Sequence, residues 1–212
     1  MQIKTLALLV LAFGAQPAWS HNGEDHSAQQ ASVDSPALST RLALRGLWVE
    51  HVFWVRNYAV ANQQGNAPEA AAAAKEIVVN ATAIANSIAP LYGQAAADQL
   101  LTLLAGHWGA VKHYSDATVA DNAKGKAEAI VELTNNAKAL AAFLAKANPN
   151  LPEATLVAML GAHGGHHVME IDQLSKHDYS GEAQTWQAMR GHMLVLADTL
   201  TGALVKQFPE KF

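Results

Sequence analysis

The 212-residue chain contains no cysteine, and this absence excludes several kinds of site. Without thiols the chain cannot form a disulfide, a thiolate metal site or a c-type haem attachment. Charged residues are also scarce, at 15%, and the formal net charge is −4. A weakly acidic chain lacks the basic face that nucleic acid or an anionic membrane attracts, so we expect neither as a partner. Any metal would therefore be held by imidazole, carboxylate, amide or backbone oxygen ligands.

Long apolar runs are missing as well, and the N-terminal one is short. The segment LALLVLAFGA follows Lys4 and precedes AWS, which places Ala18 and Ser20 at the small-residue positions before a cleavage site. Ten apolar residues are too few to span a bilayer as an ordinary helix. We therefore expect residues 1–20 to be a cleaved secretory signal, and the mature protein to be periplasmic or secreted without a membrane span.

Residues 21–35 are polar and show no periodicity, which predicts a flexible arm. Cleavage after Ser20 would make His21 the new N-terminus. A terminal amine together with its own imidazole can chelate Cu(II), and His26 is near enough in sequence to assist. The alternative is an ordinary polar tail that begins with histidine by accident.

Helix signals fill residues 36–212, which we predict to be a single helical-bundle domain. Ser35 and Pro36 form an N-cap followed by proline at the first helical position, and Pro68 opens a second helix in the same way. Leu, Ile and Val recur at three- and four-residue spacing, and no segment alternates like a strand. The predicted helices cover about residues 36–61, 68–91, 94–117, 121–147, 152–175 and 180–206.

An internal repeat predicts how these helices are arranged. The segment from Asn80 aligns without gaps with the segment from Asn136, an offset of 56 that places His107 on His163. The same offset leads back from His107 to His51. The all-α fold class that we predict is accordingly a bundle of six antiparallel helices in three 56-residue helical-hairpin pseudo-repeats.

Six polar residues occupy equivalent places in this arrangement. Their spacing alternates between 29 and 27, and each interval is centred on a predicted turn, so antiparallel helices should place all six at one height. Each shares a face with apolar residues, which predicts that it points inward. The six residues are His51, Asn80, His107, Asn136, His163 and His192.

Buried imidazoles and amides without partners cost on the order of 1–3 kcal/mol each, so the layer should serve a purpose. In one interpretation His51, His107 and His163 hold a copper or zinc ion or a small ligand, and His166, His167 and His192 enlarge the site. In a second, the layer fixes helix register in a structural or sensory module without metal. In a third, an open coordination position supports a metal-assisted hydrolase or oxidase. Hairpins that close around one axis would bring the histidines together, whereas an open stack would separate them.

The segment HGGHH, residues 163–167, strengthens the metal-site interpretation because the other two repeats carry only one histidine there. Gly164 and Gly165 predict either close approach of a neighbouring helix or room for a ligand. Sequence signatures of hydrolases, nucleotide-binding proteins and zinc proteases are absent. Glu50 and Glu170 do not supply the Glu-x-x-His pairs of a di-iron bundle.

The segments LWVEHVFWVRN, LLAGH, FLAKANPNLP and QFPEKF resemble those of an exported or cytosolic bacterial family of all-helical proteins with no established function. The resemblance covers most of residues 40–212. It implies a helical fold and inward-facing histidines, and it implies no reaction. His166 and His167 are not part of the pattern.

Overall fold

A computed structural model describes residues 35–212 of the protein. The predicted signal, the predicted arm, His21 and His26 lie outside the described residues. The described chain contains helices and no strand, which confirms the all-α class. Six long helices form a bundle: α1 Pro36–Gln63, α2 Ala67–Ser87, α3 Gln94–Val119, α4 Ala123–Ala147, α5 Glu153–Ser175 and α6 Tyr179–Gln207. A one-turn helix, Ala89–Tyr92, follows α2, and a short 3₁₀ helix, Pro209–Lys211, follows α6.

Side-chain caps start most of the long helices where the sequence predicts a start. Ser35 Oγ accepts a hydrogen bond from the Leu38 amide at the start of α1. Asn122 and Asp178 cap α4 and α6 through the amides of the third residues that follow them. Such caps satisfy amides that have no carbonyl partner within the helix, each contributing about 1 kcal/mol.

The second predicted helix is divided, which corrects its expected extent of 68–91. Helix α2 ends at Ser87, and the chain resumes as a single helical turn that contains Pro90. Proline has no amide hydrogen and its ring clashes with the carbonyl four residues earlier, so the helix breaks just before it. Gly93, with φ of 83°, then turns the chain into α3.

Three inner helices lie at the centre of the bundle, and three outer helices pack around them. Helices α1, α3 and α5 pack against one another, and they carry His51, His107 and His163. Helix α2 packs against α1 and α3, α4 against α3 and α5, and α6 against α5 and α1. The first and last helices are therefore neighbours, and this closed arrangement is the one that allows the three histidine-bearing helices to share a site. Within residues 35–212, none of the helices carries an apolar stretch of the length that a bilayer requires.

Two apolar clusters make up the core, and buried histidines lie where one gives way to the other. Along α3, Leu104 belongs to the first cluster and Val111 to the second, with His107 between them. Along α5, His163 and His167 separate Leu160 from Ile171 in the same way. The core is thus apolar at both ends and polar in the middle.

A close approach between helices requires a glycine in α3, whereas the glycine pair of HGGHH allows none. A Cβ atom on Gly106 would lie 3.0 Å from Asn136 Nδ2, so this position needs a small residue. Nothing lies within 4 Å of a Cβ atom built on Gly164 or Gly165. These two glycines border a surface groove beside Leu133 instead.

Candidate metal centre

Four histidines from three helices converge in the middle of the bundle. His51 lies on α1, His107 on α3, and His163 and His167 on α5. Their exposed fractions are between 1% and 7%, so all four are buried. His163 and His167 are four residues apart, which places both rings on the same face of α5. The structure thus brings together the three predicted equivalent histidines and adds His167 as the fourth.

The four rings lie near the corners of a tetrahedron. The six distances between ring centroids range from 4.5 Å, for His163 and His167, to 6.0 Å, for His51 and His167. Four imidazoles bound tetrahedrally to zinc at about 2.0–2.1 Å have ring centres about 5 Å apart. The backbone positions therefore already suit one four-coordinate ion.

The ligand atoms need only a small further approach. One nitrogen from each ring lies within 4.8 Å of the nitrogens from the other three. Tetrahedral nitrogen ligands at zinc distances are about 3.4 Å apart, and His163 Nε2 and His167 Nε2 are already separated by 3.2 Å. Rotations of the His51 and His107 side chains that move each ligand nitrogen by about an ångström would complete the set.

Several ring nitrogens have no polar partner within residues 35–212. Both nitrogens of His51 and Nε2 of His107 are buried and unpaired. A buried polar group in this state costs about 1–3 kcal/mol. Three such atoms in one place are compatible with a bound group that supplies the missing interaction.

The Nδ1 atoms of the two α5 rings lie near a thioether and a carboxyl group. His163 Nδ1 lies 3.3 Å from Met189 Sδ, and His167 Nδ1 lies 3.9 Å from Glu170 Oε2, which is too far for a hydrogen bond. If both rings carried their hydrogen at Nδ1, two Nε2 lone pairs would face each other at 3.2 Å. This pair is stable with a cation between the two nitrogens, or with one ring held in the other tautomer.

Burial keeps the four imidazoles neutral, which is the form that binds metal. Burial, aided by the neighbouring His107, lowers the pKa of His51 to about 3. Burial lowers the pKa of His107 to about 4. Burial and the adjacent histidines hold the pKa values of His163 and His167 well below 6.5. At neutral pH a metal ion would not have to displace protons from these rings.

A buried carboxyl group lies beside the histidines. Glu170 is 1% exposed, and its Oε1 atom has no partner among the described residues. Burial and the nearby charge of Glu182 raise the pKa of Glu170 to about 8, against the opposing effect of Arg56. Arg56 is itself paired with Glu182 through two hydrogen bonds, one of them 2.8 Å long. Glu170 is therefore largely protonated at neutral pH in the metal-free protein, and a cation bound in the cluster would favour its ionised form.

The remaining predicted layer residues lie outside the cluster, on the outer helices. Asn80 and Asn136 donate hydrogen bonds to the carbonyl oxygens of Leu47 and Leu103, at 3.0 and 2.8 Å. These carbonyls are one turn before His51 and His107. The side chains of Asn80 and Asn136 extend only as far as the backbone of the inner helices. They therefore do not reach the four rings.

His192 and His166 are also placed outside the four-histidine cluster. His192 Nε2 lies 2.9 Å from the carbonyl oxygen of Met159, which repeats the arrangement of the two asparagines. His166 is half-buried, and its ring centroid is 5.7 Å from that of His192. His166 is three residues from His163, but its ring lies beside His192 on α6 and is not among the four converging rings.

Sequence reasoning missed two groups that contact the rings. In the helical pattern Met189 is only one of the apolar residues on the face of His192, three residues away, and Glu170 was considered only for a di-iron site. The spacing of three between His167 and Glu170 places them on one helical face and is the signal that identifies this carboxylate. The contact of Met189 with His163 spans two helices, and no local pattern predicts it.

No known family model, curated protein or solved structure matches the chain. The four-histidine cluster is therefore the feature of the molecule that indicates a function.

Proposed function

We propose that this is an exported metal-binding protein that holds one late first-row transition metal ion, zinc or copper, through His51, His107, His163 and His167. The observation that carries the proposal is the near-tetrahedral convergence of four buried, neutral imidazoles, two of which, His51 and His107, have unpaired nitrogens. Imidazole is a preferred ligand of both metals. The periplasmic or secreted location comes from the predicted signal at residues 1–20.

Binding is favoured over hydrolysis or oxidation because four protein ligands fill a tetrahedral coordination sphere. Catalytic zinc sites have three protein ligands and leave the fourth position to water or substrate, whereas structural sites are closed. All four histidines are buried, so water has no direct route to a metal between them. A tightly held ion that stabilises, stores or reports on metal fits this site.

We also propose that the bundle consists of three antiparallel 56-residue hairpins, with Asn80, Asn136 and His192 fixing their register. The hydrogen bonds of these residues support this, because each joins positions 33 apart and successive bonds are offset by 56. A second pair of bonds repeats at the same offset, from Tyr58 to Asp116 and from Tyr114 to Asp172. In this view the outer polar residues have the structural role, and the inner histidines bind metal.

The experiment is metal analysis and thermal melting of protein purified without a His tag or chelating resin. Elemental analysis should find close to one zinc or copper per chain. Removal of the metal should lower the melting temperature, because binding to the folded state stabilises it by mass action. One equivalent of Zn(II) or Cu(II) should restore it.

Single glutamine substitutions identify the ligands. Each of His51→Gln, His107→Gln, His163→Gln and His167→Gln should weaken metal affinity by more than the roughly 10–100-fold expected for a group beyond the ligands. His177→Gln is the matched control because His177 is exposed. An unchanged metal-dependent rise in melting temperature in the fourfold variant would refute the site. If that rise were then lost on deletion of residues 21–26, the metal would belong to the N-terminal arm.

A further inference from the structure

A partly enclosed cavity of about 60 Å³ extends into the bundle on one side of the histidine cluster. Leucines from several helices form most of its wall, among them Leu44, Leu100, Leu104, Leu140, Leu160 and Leu196. His51, His107 and His163 also line it, whereas His167 does not. The cavity therefore borders the candidate metal centre on the side away from His167 and Glu170.

The polar atoms on the cavity wall are either hydrogen-bonded or almost inaccessible. Tyr92 and Asn148 lie at the end away from the histidines, where Tyr92 Oη donates to Gln207 and Asn148 Nδ2 donates to Tyr92 Oη. Asn148 Oδ1 accepts two hydrogen bonds from Asn150. The unpaired nitrogens of Trp48, His51 and His107 have almost no accessible surface, so the cavity meets these rings at carbon atoms.

These features favour an apolar occupant over water. A water molecule needs only about 10–15 Å³, but it also needs two to four polar partners, and apolar cavities of larger size stay dry. A charged or strongly polar ligand would find no accessible unpaired group on this wall. The volume of the cavity also limits the size of its occupant. An apolar cavity of about 150 Å³ accepts benzene, and this cavity is less than half as large.

We propose that this cavity is a binding site for a small uncharged apolar molecule, of the size of a xenon atom or a diatomic gas, in contact with the rings of His51, His107 and His163. The occupant sits against three of the four proposed metal ligands. Binding of the gas itself does not require the metal, so this site can exist whether or not the proposed function is correct.

Xenon is the probe, applied to the full metal-free protein labelled at leucine methyl groups. Increasing xenon pressure should shift the methyl resonances of Leu100, Leu104 and Leu140 along a saturable curve. Benzene should not produce saturable shifts of these resonances. A crystal pressurised with xenon should show the atom bounded by Leu104, Leu140 and His107. Dioxygen, which is paramagnetic, should broaden the same resonances and so show that a diatomic gas enters.

A filling substitution supplies the matched test. Ala137 lines the cavity, and Ala139, two residues along the same helix, is exposed. Ala137→Leu should abolish the xenon-dependent shifts, and Ala139→Leu should leave them unchanged, with circular dichroism verifying the helices of both. The proposal is overturned if wild-type protein shows no saturable shift, if the crystallographic xenon lies elsewhere, or if folded Ala137→Leu protein retains the shifts. Xenon binding in protein that takes up no metal would reject the proposed function and leave the gas site intact.

Discussion

Glu170 is the residue outside the four histidines that most affects what kind of ion they can hold. Four neutral imidazoles contribute no charge, so a buried divalent ion would leave two positive charges in the core. A carboxylate that accepts the Nδ1 hydrogen of a ligating histidine orients the ring and strengthens it as a ligand. Glu170 Oε2 lies 3.9 Å from His167 Nδ1, and a small rotation on metal binding would close this distance to a hydrogen bond.

We predict that Glu170→Leu weakens metal binding by roughly 10–100-fold, the usual cost of losing such a partner. Glu170→Gln should weaken it less, because the amide oxygen can still accept the Nδ1 hydrogen. Competition with a chromophoric chelator measures both affinities. Glu128→Leu, at an exposed position of α4, is the control. Equal affinities for Glu170→Leu and wild type would show that Glu170 does not assist the site.

The buried histidines predict how the metal-free protein responds to acid. An unfolded histidine has a pKa near 6.5, whereas burial lowers the pKa values of His51 and His107 to about 3 and about 4. The folded state then binds fewer protons than the unfolded state below pH 6.5. Stability is present above this pH and is lost as the pH falls towards the folded-state values, by at most about 1.4 kcal/mol per pH unit for each histidine.

Glu170 has the opposite effect on the pH dependence of stability from that of the histidines. Its raised pKa of about 8 makes the folded state bind more protons than the unfolded state between pH 4.5 and 8. The four histidines outnumber this one carboxyl group, so the free energy of unfolding should fall on acidification from pH 6.5 to 5. Urea unfolding in the presence of chelator measures it. His51→Gln should reduce the slope by about 1.4 kcal/mol per pH unit, and His177→Gln should not. A slope that is the same in His51→Gln and wild-type protein would mean that His51 titrates normally.

The sequence predicted His51, His107 and His163 because their spacing repeats and their faces are apolar. Periodicity gives the direction of a side chain from its helix. It does not give the rotamer or the partner on another helix, so the contact between His163 and Met189 was not predictable. His167 was expected to enlarge the site, and it became a full member because it lies one turn from His163 on the same face of α5.

At the scale of helices, the outer polar residues tie each outer helix to an inner one. Asn136 Nδ2 donates to the carbonyl oxygen of Leu103, and Gly106 leaves the space that the amide occupies. The bond lies between helices α4 and α3, at the height of the histidines. It stabilises the packing of these helices without contacting the proposed ion.

We predict that Asn136→Ala lowers the free energy of unfolding by about 1–2 kcal/mol, the cost of one partly buried hydrogen bond and the exposed carbonyl that remains. The loss should be equal with and without metal, and the metal content should stay unchanged. Asn135→Ala is the matched control, because Asn135 is exposed on the same helix. A loss of metal affinity in Asn136→Ala larger than its loss of stability would place Asn136 in the site.

The sequence predicted a helix boundary correctly where a capping side chain marks it. Ser35 and Pro36 gave the start of α1, since a capping side chain and proline act within one turn. The division of α2 before Pro90 was not predicted, because the apolar pattern continues through the break while the proline ring disrupts the backbone.

For the whole molecule, the sequence left open whether the repeats close or form an extended stack. Both arrangements bury the same faces between neighbouring helices, so hydrophobic periodicity does not distinguish them. The decisive contacts join the two ends of the chain, where α6 packs against α1. Arg45 on α1 pairs with Asp198 on α6 across 153 residues of sequence, and no local pattern encodes such a contact.

Closure predicts that an ion at the centre stabilises the whole bundle rather than one helix. Its proposed ligands come from α1, α3 and α5, so unfolding any of the three would release it. At a free metal concentration one hundred times the dissociation constant, binding adds about 2.7 kcal/mol to the free energy of unfolding. Amides that exchange only through global unfolding should then exchange about one hundred times more slowly in all three helices.

Hydrogen exchange measured with and without Zn(II) tests this prediction. Slowing by a similar factor in α1, α3 and α5 is expected, since one ion links them and global unfolding exposes all their amides together. Slowing confined to α5 would mean that His163 and His167 bind the metal without His51 and His107, and that the four-histidine site does not form. His107→Gln protein provides the internal comparison. Loss of the α3 ligand should reduce the slowing of amide exchange in α1 and α5 as much as in α3, because one ion stabilises all three helices together.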